Sequence, residues 1–150
     1  MNEERERSPI VVTHKSGVKF IAQVRSHEII LDQTLHAGGE DTGPSPIEML
    51  GVALGSCVAL YVQQFCHARR LATDGLRVEV DQDGAKDPNR VKEFVVRVSL
   101  PSGLPRHYLE LIERAARSCP AHNTLAHGAS VTFSFAQAAA RQLSASEAWE

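Results

Sequence analysis

The chain has 150 residues, 43% of them hydrophobic, which fits one domain with enough apolar residues to bury a core. Its charge is nearly balanced, 16 Lys and Arg against 18 Asp and Glu. The basic residues from Lys86 to Arg106 are interrupted by Asp87 and Glu93, so they read as a solvated face rather than a nucleic-acid footprint.

In chain order, residues 1–8 are highly charged and read as a disordered terminus with no signal peptide. Three short strands follow, forming an antiparallel meander. Ile10–Thr13 is β-branched, Ser16-Gly17 supplies a turn, and Val18–Val24 alternates apolar and polar residues. His27–Asp32 completes the set. Residues 36–46 form a loop dense in Gly and Pro. Ser45 then fits an N-cap, Pro46 the first helical position, and Glu48 the acid of a capping box. The helix is expected from Pro46 to about Leu71, roughly 40 Å long. Its first half is apolar nearly all round, which predicts burial on all sides. Gly51, Gly55 and Ala59 make a smooth stripe suited to a second helix across a dimer axis. The apolar run from Ile47 to about Phe65, broken by Gly, Ser and Gln, is expected to be too short for a membrane span of about 20 residues. A cytoplasmic protein that binds neither membrane nor nucleic acid is therefore expected.

Leu76–Asp81 alternates as a strand, residues 83–89 read as a polar loop, and Val91–Leu100 is a further strand. Pro105 opens a helix ending near Ser118, and Pro120 opens a second that stops at Gly128. Val131–Phe135 is expected to be the last strand, followed by a tail over residues 137–150. The order predicts a single α+β domain spanning residues 1–150, with antiparallel sheets around a central helix.

Three cysteines in a reducing compartment are either inert core residues or redox-active ones. Cys119 precedes Pro120 and so avoids helical angles, which makes it the N-cap of the helix that follows. There the free N–H groups and the helix dipole are expected to lower its pKa. Cys57 lies about three turns into its helix, beyond reach of that end, and buried there it stays inert unless the fold brings a cation. Cys66 falls on the opposite side of the helix from Cys57 at about 100° per residue and is assigned to packing. Glu48 likewise points away from Cys57 and has a sufficient task as the capping acid. Cys119 and His122, with His127, have ligand-like spacing, but no second Cys-x-x-Cys and no His-Glu-x-x-His accompany them, so no metal or other cofactor is expected. The residues leave three chemistries open. One is a reactive thiol pair. Another is a cysteine-nucleophile hydrolase with His122 or His27 as base. The third is a non-catalytic dimeric module holding an apolar ligand.

Three segments carry a resemblance. They are Gly38-Gly39-Glu40-Asp41-Thr42-Gly43-Pro44-Ser45-Pro46-Ile47-Glu48-Met49-Leu50, Ala53-Leu54-Gly55-Ser56-Cys57, and Cys119-Pro120-Ala121-His122-Asn123-Thr124-Leu125. Together, over roughly residues 10–136, they resemble the OsmC/Ohr family. Ser45-Pro46-Ile47-Glu48, in place of the Asn-Pro-Glu of the Ohr branch, is nearer the broad OsmC-like branch. The resemblance implies an intertwined homodimer with two central helices and an active site at the interface. It also implies a thiol-dependent peroxidase acting on small organic hydroperoxides and reset by an external dithiol reductant. Cys57 matches the peroxidatic cysteine and Cys119 the resolving one. Glu48 matches an acid that holds an arginine from the N-terminal strands, for which Arg25 is the best match. Leu54, Val58 and Phe65 would suit the alkyl part of such a peroxide.

Overall fold

Strands β1 (Val11–Ser16), β2 (Lys19–Val24) and β3 (His27–Leu31) form an antiparallel sheet in that order. The computed structural model describes residues 8–137, so the expectations for residues 1–7 and 138–150 lie outside the described residues. Ala22 is the buried centre of this sheet, paired with Val12 on one side and Ile29 on the other. The sheet packs chiefly on itself rather than on the helices.

Helix α1 runs from Pro46 to Ala68. Ser45 Oγ accepts from the Glu48 amide at 3.3 Å, and the Glu48 carboxylate accepts from the Ser45 amide at 2.7 Å, so the capping box forms as its residues demand. The helix stops three residues earlier than expected. Arg69 turns back over the Phe65 ring, 3.7 Å from its centroid, and Arg70 takes a positive φ of 53°. By length and composition alone α1, 23 residues long, is long and apolar enough to cross a membrane, which revises the expectation of a run too short for that. Breaks at Gly and Gln lower the hydropathy without interrupting the helix.

Strands β4 (Arg77–Lys86) and β5 (Asn89–Ser99) make a long antiparallel hairpin. The expected polar loop over residues 83–89 is instead mostly strand. Asp83 pairs with Glu93 and Lys86 with Asn89, leaving only Asp87 and Pro88 to turn. Both faces at that end are solvated, so polar side chains fit the pleat, and Lys92 bridges to Asp83 at 2.8 Å. After a 3₁₀ turn at Arg106–Tyr108 come α2 (Leu109–Arg117) and α3 (Pro120–His127).

The core lies where α1 meets β4, α2 and α3. Leu54, Val58, Val62 and Cys66 of α1 close on Ile112 of α2 and on Cys119. Two expectations change here. The small-residue stripe faces a strand of the same chain rather than a second helix, because an added Cβ on Gly55 would stand 3.0 Å from Val80 Cγ2. Nor is α1 buried all round: Ile47, Leu50, Val52 and Leu60 are exposed, since this chain supplies packing layers on one side only. A third difference concerns Val131–Phe135, which forms no strand. A strand needs a neighbour to pair with, and the segment finds none among the described residues, leaving Val131, Phe133 and Phe135 exposed at 73%, 76% and 91%.

Candidate active site

The loop that leads into α1 is organised by Asp32, which sequence reasoning treated only as the end of a strand. Its carboxylate is buried and accepts from the Gln33 amide (2.8 Å), the Glu40 amide (3.2 Å), the Thr42 amide (3.1 Å) and the Thr42 hydroxyl (2.8 Å). Burial pushes its pKa up, but the bonds from Thr42, Gln33 and Glu40 outweigh that and hold it at about 2. Gly39 is required beside it, because a Cβ there would collide with the Gln33 carbonyl. An acid placed just before a Gly- and Pro-rich stretch was the available signal.

Cys57 is half-buried on α1, and Cys119 is fully buried at the N-cap of α3. Cys57 packs against the buried cluster that contains Cys119 and lies close enough to raise its pKa, so residues far apart in sequence become neighbours within one chain. The N-cap geometry follows from Pro120: Cys119 is held extended at ψ 141°, and its Sγ accepts from the His122 amide at 3.3 Å. The expected lowering of its pKa is overturned. Burial pushes the Cys119 thiol up, the His122 amide only partly offsets this, and Cys57 adds to the rise. The helix start supplies donors, but a sulfur removed from water resists ionisation more than those donors favour it. Cys66 lies deep in the core, 1% exposed, and burial raises its pKa against the pull of Arg69.

The other two candidates stand elsewhere. Arg25 sits in the turn between β2 and β3 with φ 55°, and none of the ion pairs among the described residues includes it. Glu48 is engaged at the N-terminus of α1, where the Ser45 amide and hydroxyl lower its pKa. One chain therefore assembles the two sulfurs but brings neither Arg25 nor Glu48 into hydrogen-bonding contact with Cys57.

A cavity of about 460 Å³, lined by neither Cys57 nor Cys119, opens between α1, β5, α2 and the start of α3. Its walls are aliphatic and aromatic, with Leu54 and Val58 one turn of α1 apart. Glu113, Arg117 and His122 supply the polar part, and Arg117 is paired to Glu113 at 2.9 Å. Phe65 is not part of this wall; it stacks edge-on against Tyr108, their centroids 6.2 Å apart. His122 Nδ1 is buried and has no hydrogen-bond partner. Among the described residues no three His, Cys, Asp or Glu side chains gather as metal ligands.

A model of the OsmC-like protein family matches residues 38–134. No curated protein matches the chain. Solved structures share its fold. A protein from Psychrobacter arcticus 273-4 aligns with a TM-score of 0.73 at 22% identity, covering 82% of this chain and 91% of that one. An OsmC-like protein from Mycoplasma pneumoniae gives 0.70 at 20%, covering 81% and 89%. An organic hydroperoxide resistance protein from Legionella pneumophila gives 0.52 at 16%, covering 81% and 91%.

Proposed function

The chain belongs to the OsmC-like family, and on that premise we propose that it is a thiol-dependent peroxidase that reduces organic hydroperoxides to alcohols. The observation that carries this reading is that Cys57 and Cys119 are neighbours in one packed cluster. Neighbouring thiols can close into a disulfide by a local movement, as a two-cysteine cycle requires. The name of the Legionella neighbour, organic hydroperoxide resistance protein, points the same way.

Cys57 is the sulfur that meets peroxide, because it is half-exposed while Cys119 is sealed. Its thiolate attacks one peroxide oxygen and the O–O bond breaks. The alcohol leaves with a proton, and Cys57 becomes a sulfenic acid. Cys119 then attacks that sulfur, the S–S bond forms, and water departs. An external dithiol is oxidised in turn and restores both thiols. The cavity lined by Leu54 and Val58 suits an alkyl group better than hydrogen peroxide.

A buried thiolate needs a cation, and a guanidinium stays charged and offers several donors. Arg25, oriented by Glu48, takes that role in a homodimer, where a second copy supplies what one chain leaves apart. The apolar residues left open on α1 and at Val131–Phe135 support such an assembly. The reading places the enzyme in the cytoplasm, where thiols stay reduced between turnovers.

The test is intact mass after one equivalent of cumene hydroperoxide. Loss of two hydrogens is expected. Cys57→Ser abolishes peroxide consumption, and Cys119→Ser leaves a sulfenic acid that dimedone traps. Full activity in Cys57→Ser rules the assignment out. The cavity also favours a second reading, a non-catalytic module holding a small apolar ligand. Tight binding of such a ligand, with slow thiol labelling at neutral pH and no peroxide turnover, distinguishes it.

A further inference from the structure

The N-terminal sheet packs chiefly on itself, so the chain that joins it to α1 decides where the sheet points. That joint, residues 32–45, is tied down along its length. At the sheet end the buried Asp32 carboxylate accepts from the amides of Gln33, Glu40 and Thr42 and from the Thr42 hydroxyl. The Asp32 amide donates in turn to the Pro44 carbonyl at 3.2 Å. Gly43 passes so close to the Ile30 carbonyl of β3 that a Cβ would collide with it. The loop is therefore folded back onto the sheet. At the helix end the capping box fixes Ser45 to Glu48. A continuous run of hydrogen bonds leads from β3 to Glu48, with Asp32 as its anchor on the sheet.

One other pair ties this loop to the sheet, Lys19 of β2 with Glu40. The Glu40 side chain is 72% exposed, so that pair is screened and holds little. Asp32 holds more, because moving the loop away would leave its carboxylate buried without donors. Arg25 stands at the far end of the same lever. It lies in the tight turn of the β2–β3 hairpin, closed by the pairing of Val24 with His27, and Asp32 follows directly on the last residue of β3. From that turn to Asp32 the strand runs roughly 20 Å, at about 3.3 Å per residue. A tilt of about 10° at the joint therefore carries Arg25 through roughly 3 Å, and a misplacement of about 1 Å is enough to cost on the order of 100-fold in rate.

We propose that Asp32 is a positioning residue: it locks the joint and so sets where the N-terminal sheet, with Arg25 on its hairpin tip, stands relative to α1. The consequence for peroxide chemistry rests on the peroxidase reading; the lock itself does not. It acts in the same way when the Cys57 that Arg25 meets belongs to a second copy of the chain. Asp32→Asn keeps the volume but sets an N–H group against the donors on one side of the carboxylate, which loosens the lock.

Two rates are measured on the full chain well below the thermal midpoint: consumption of cumene hydroperoxide, and alkylation of Cys57 by iodoacetamide read by peptide mass. Asp32→Asn is expected to slow peroxide consumption roughly 100-fold and to slow alkylation as well. Arg25→Ala does the same, and the double variant falls no further than Arg25→Ala, because both changes remove one interaction. A residue that only stabilises the fold would give independent, additive losses. Additive losses, or wild-type rates in Asp32→Asn, overturn the proposal. Thr42→Val, which deletes a single donor, is expected to fall between wild type and Asp32→Asn, and Thr42→Ser, which keeps the hydroxyl, to match wild type. If Asp32→Asn does not fold by circular dichroism, the cycle with Arg25→Ala is run on Thr42→Val and judged by the same outcomes. Residual dipolar couplings, which report the angle between the N-terminal sheet and α1, separate this proposal from the peroxidase reading. A wild type that consumes no peroxide, or an Arg25→Ala variant as fast as wild type, sinks the role given to Arg25. The lock then stands if Asp32→Asn reorients the sheet, and falls if the angle is unchanged.

Discussion

Asp32 and Cys119 are both sealed from water, yet their acidities move in opposite directions. Desolvation raises each. Asp32 recovers more than it loses through bonds from Thr42, Gln33 and Glu40, and settles at about 2. Cys119 gains main-chain donors, but sulfur accepts weakly, and burial prevails. The sign for Asp32 is definite. Its folded value lies below the ordinary 3.8, so its contribution to stability is complete above that pH and disappears as pH falls towards about 2. Asp32→Asn is therefore expected to lower the thermal midpoint at neutral pH and to flatten its fall between pH 3.8 and about 2. Thermal melts across that range, wild type against variant, check this; parallel curves contradict it.

Among the elements, α1 was the most legible. Ser45, Pro46 and Glu48 announce its start by local chemistry alone, and the capping box forms. Its far end was less so: Arg69 lies over Phe65 four residues earlier, and Arg70 takes a positive φ with no glycine to mark the stop. What the glycine stripe touches was also hidden: Gly55 lets Val80 of β4 approach, not another helix. Replacing Gly55 sets two terms against each other. A residue with a side chain gains about 1 kcal/mol of helix propensity. A large one meets Val80 and overpacks the contact, costing about 1–3 kcal/mol. Gly55→Leu is expected to be net destabilising, seen as a lower denaturant midpoint with an unchanged slope; an unchanged or raised midpoint contradicts it.

Taken whole, the molecule leaves apolar surface without cover. The N-terminal sheet packs on itself, one side of α1 is open, and Val131, Phe133 and Phe135 have no strand to join. Patches of this kind mark interaction surfaces. On the proposed dimer, light scattering is expected to give twice the chain mass, and Phe133→Asp combined with Phe135→Asp to give the monomer. A monomeric wild type contradicts this, and removes the route by which Arg25 and Glu48 reach Cys57.

Local rules were enough for what depends on neighbours along the chain. The meander, the capped helix, the Pro120 start that makes Cys119 an N-cap and the α+β order all follow from residues a few positions apart. Family likeness added the link between Cys57 and Cys119. Three things were settled only by folding. They are the acidity of Cys119, the anchoring of the loop by Asp32, and the orphaned nitrogen of His122 beside an aliphatic cavity. Each depends on which distant groups exclude water from an atom and which donate to it. Desolvation is a property of the packed interior, and no spacing along the chain encodes it.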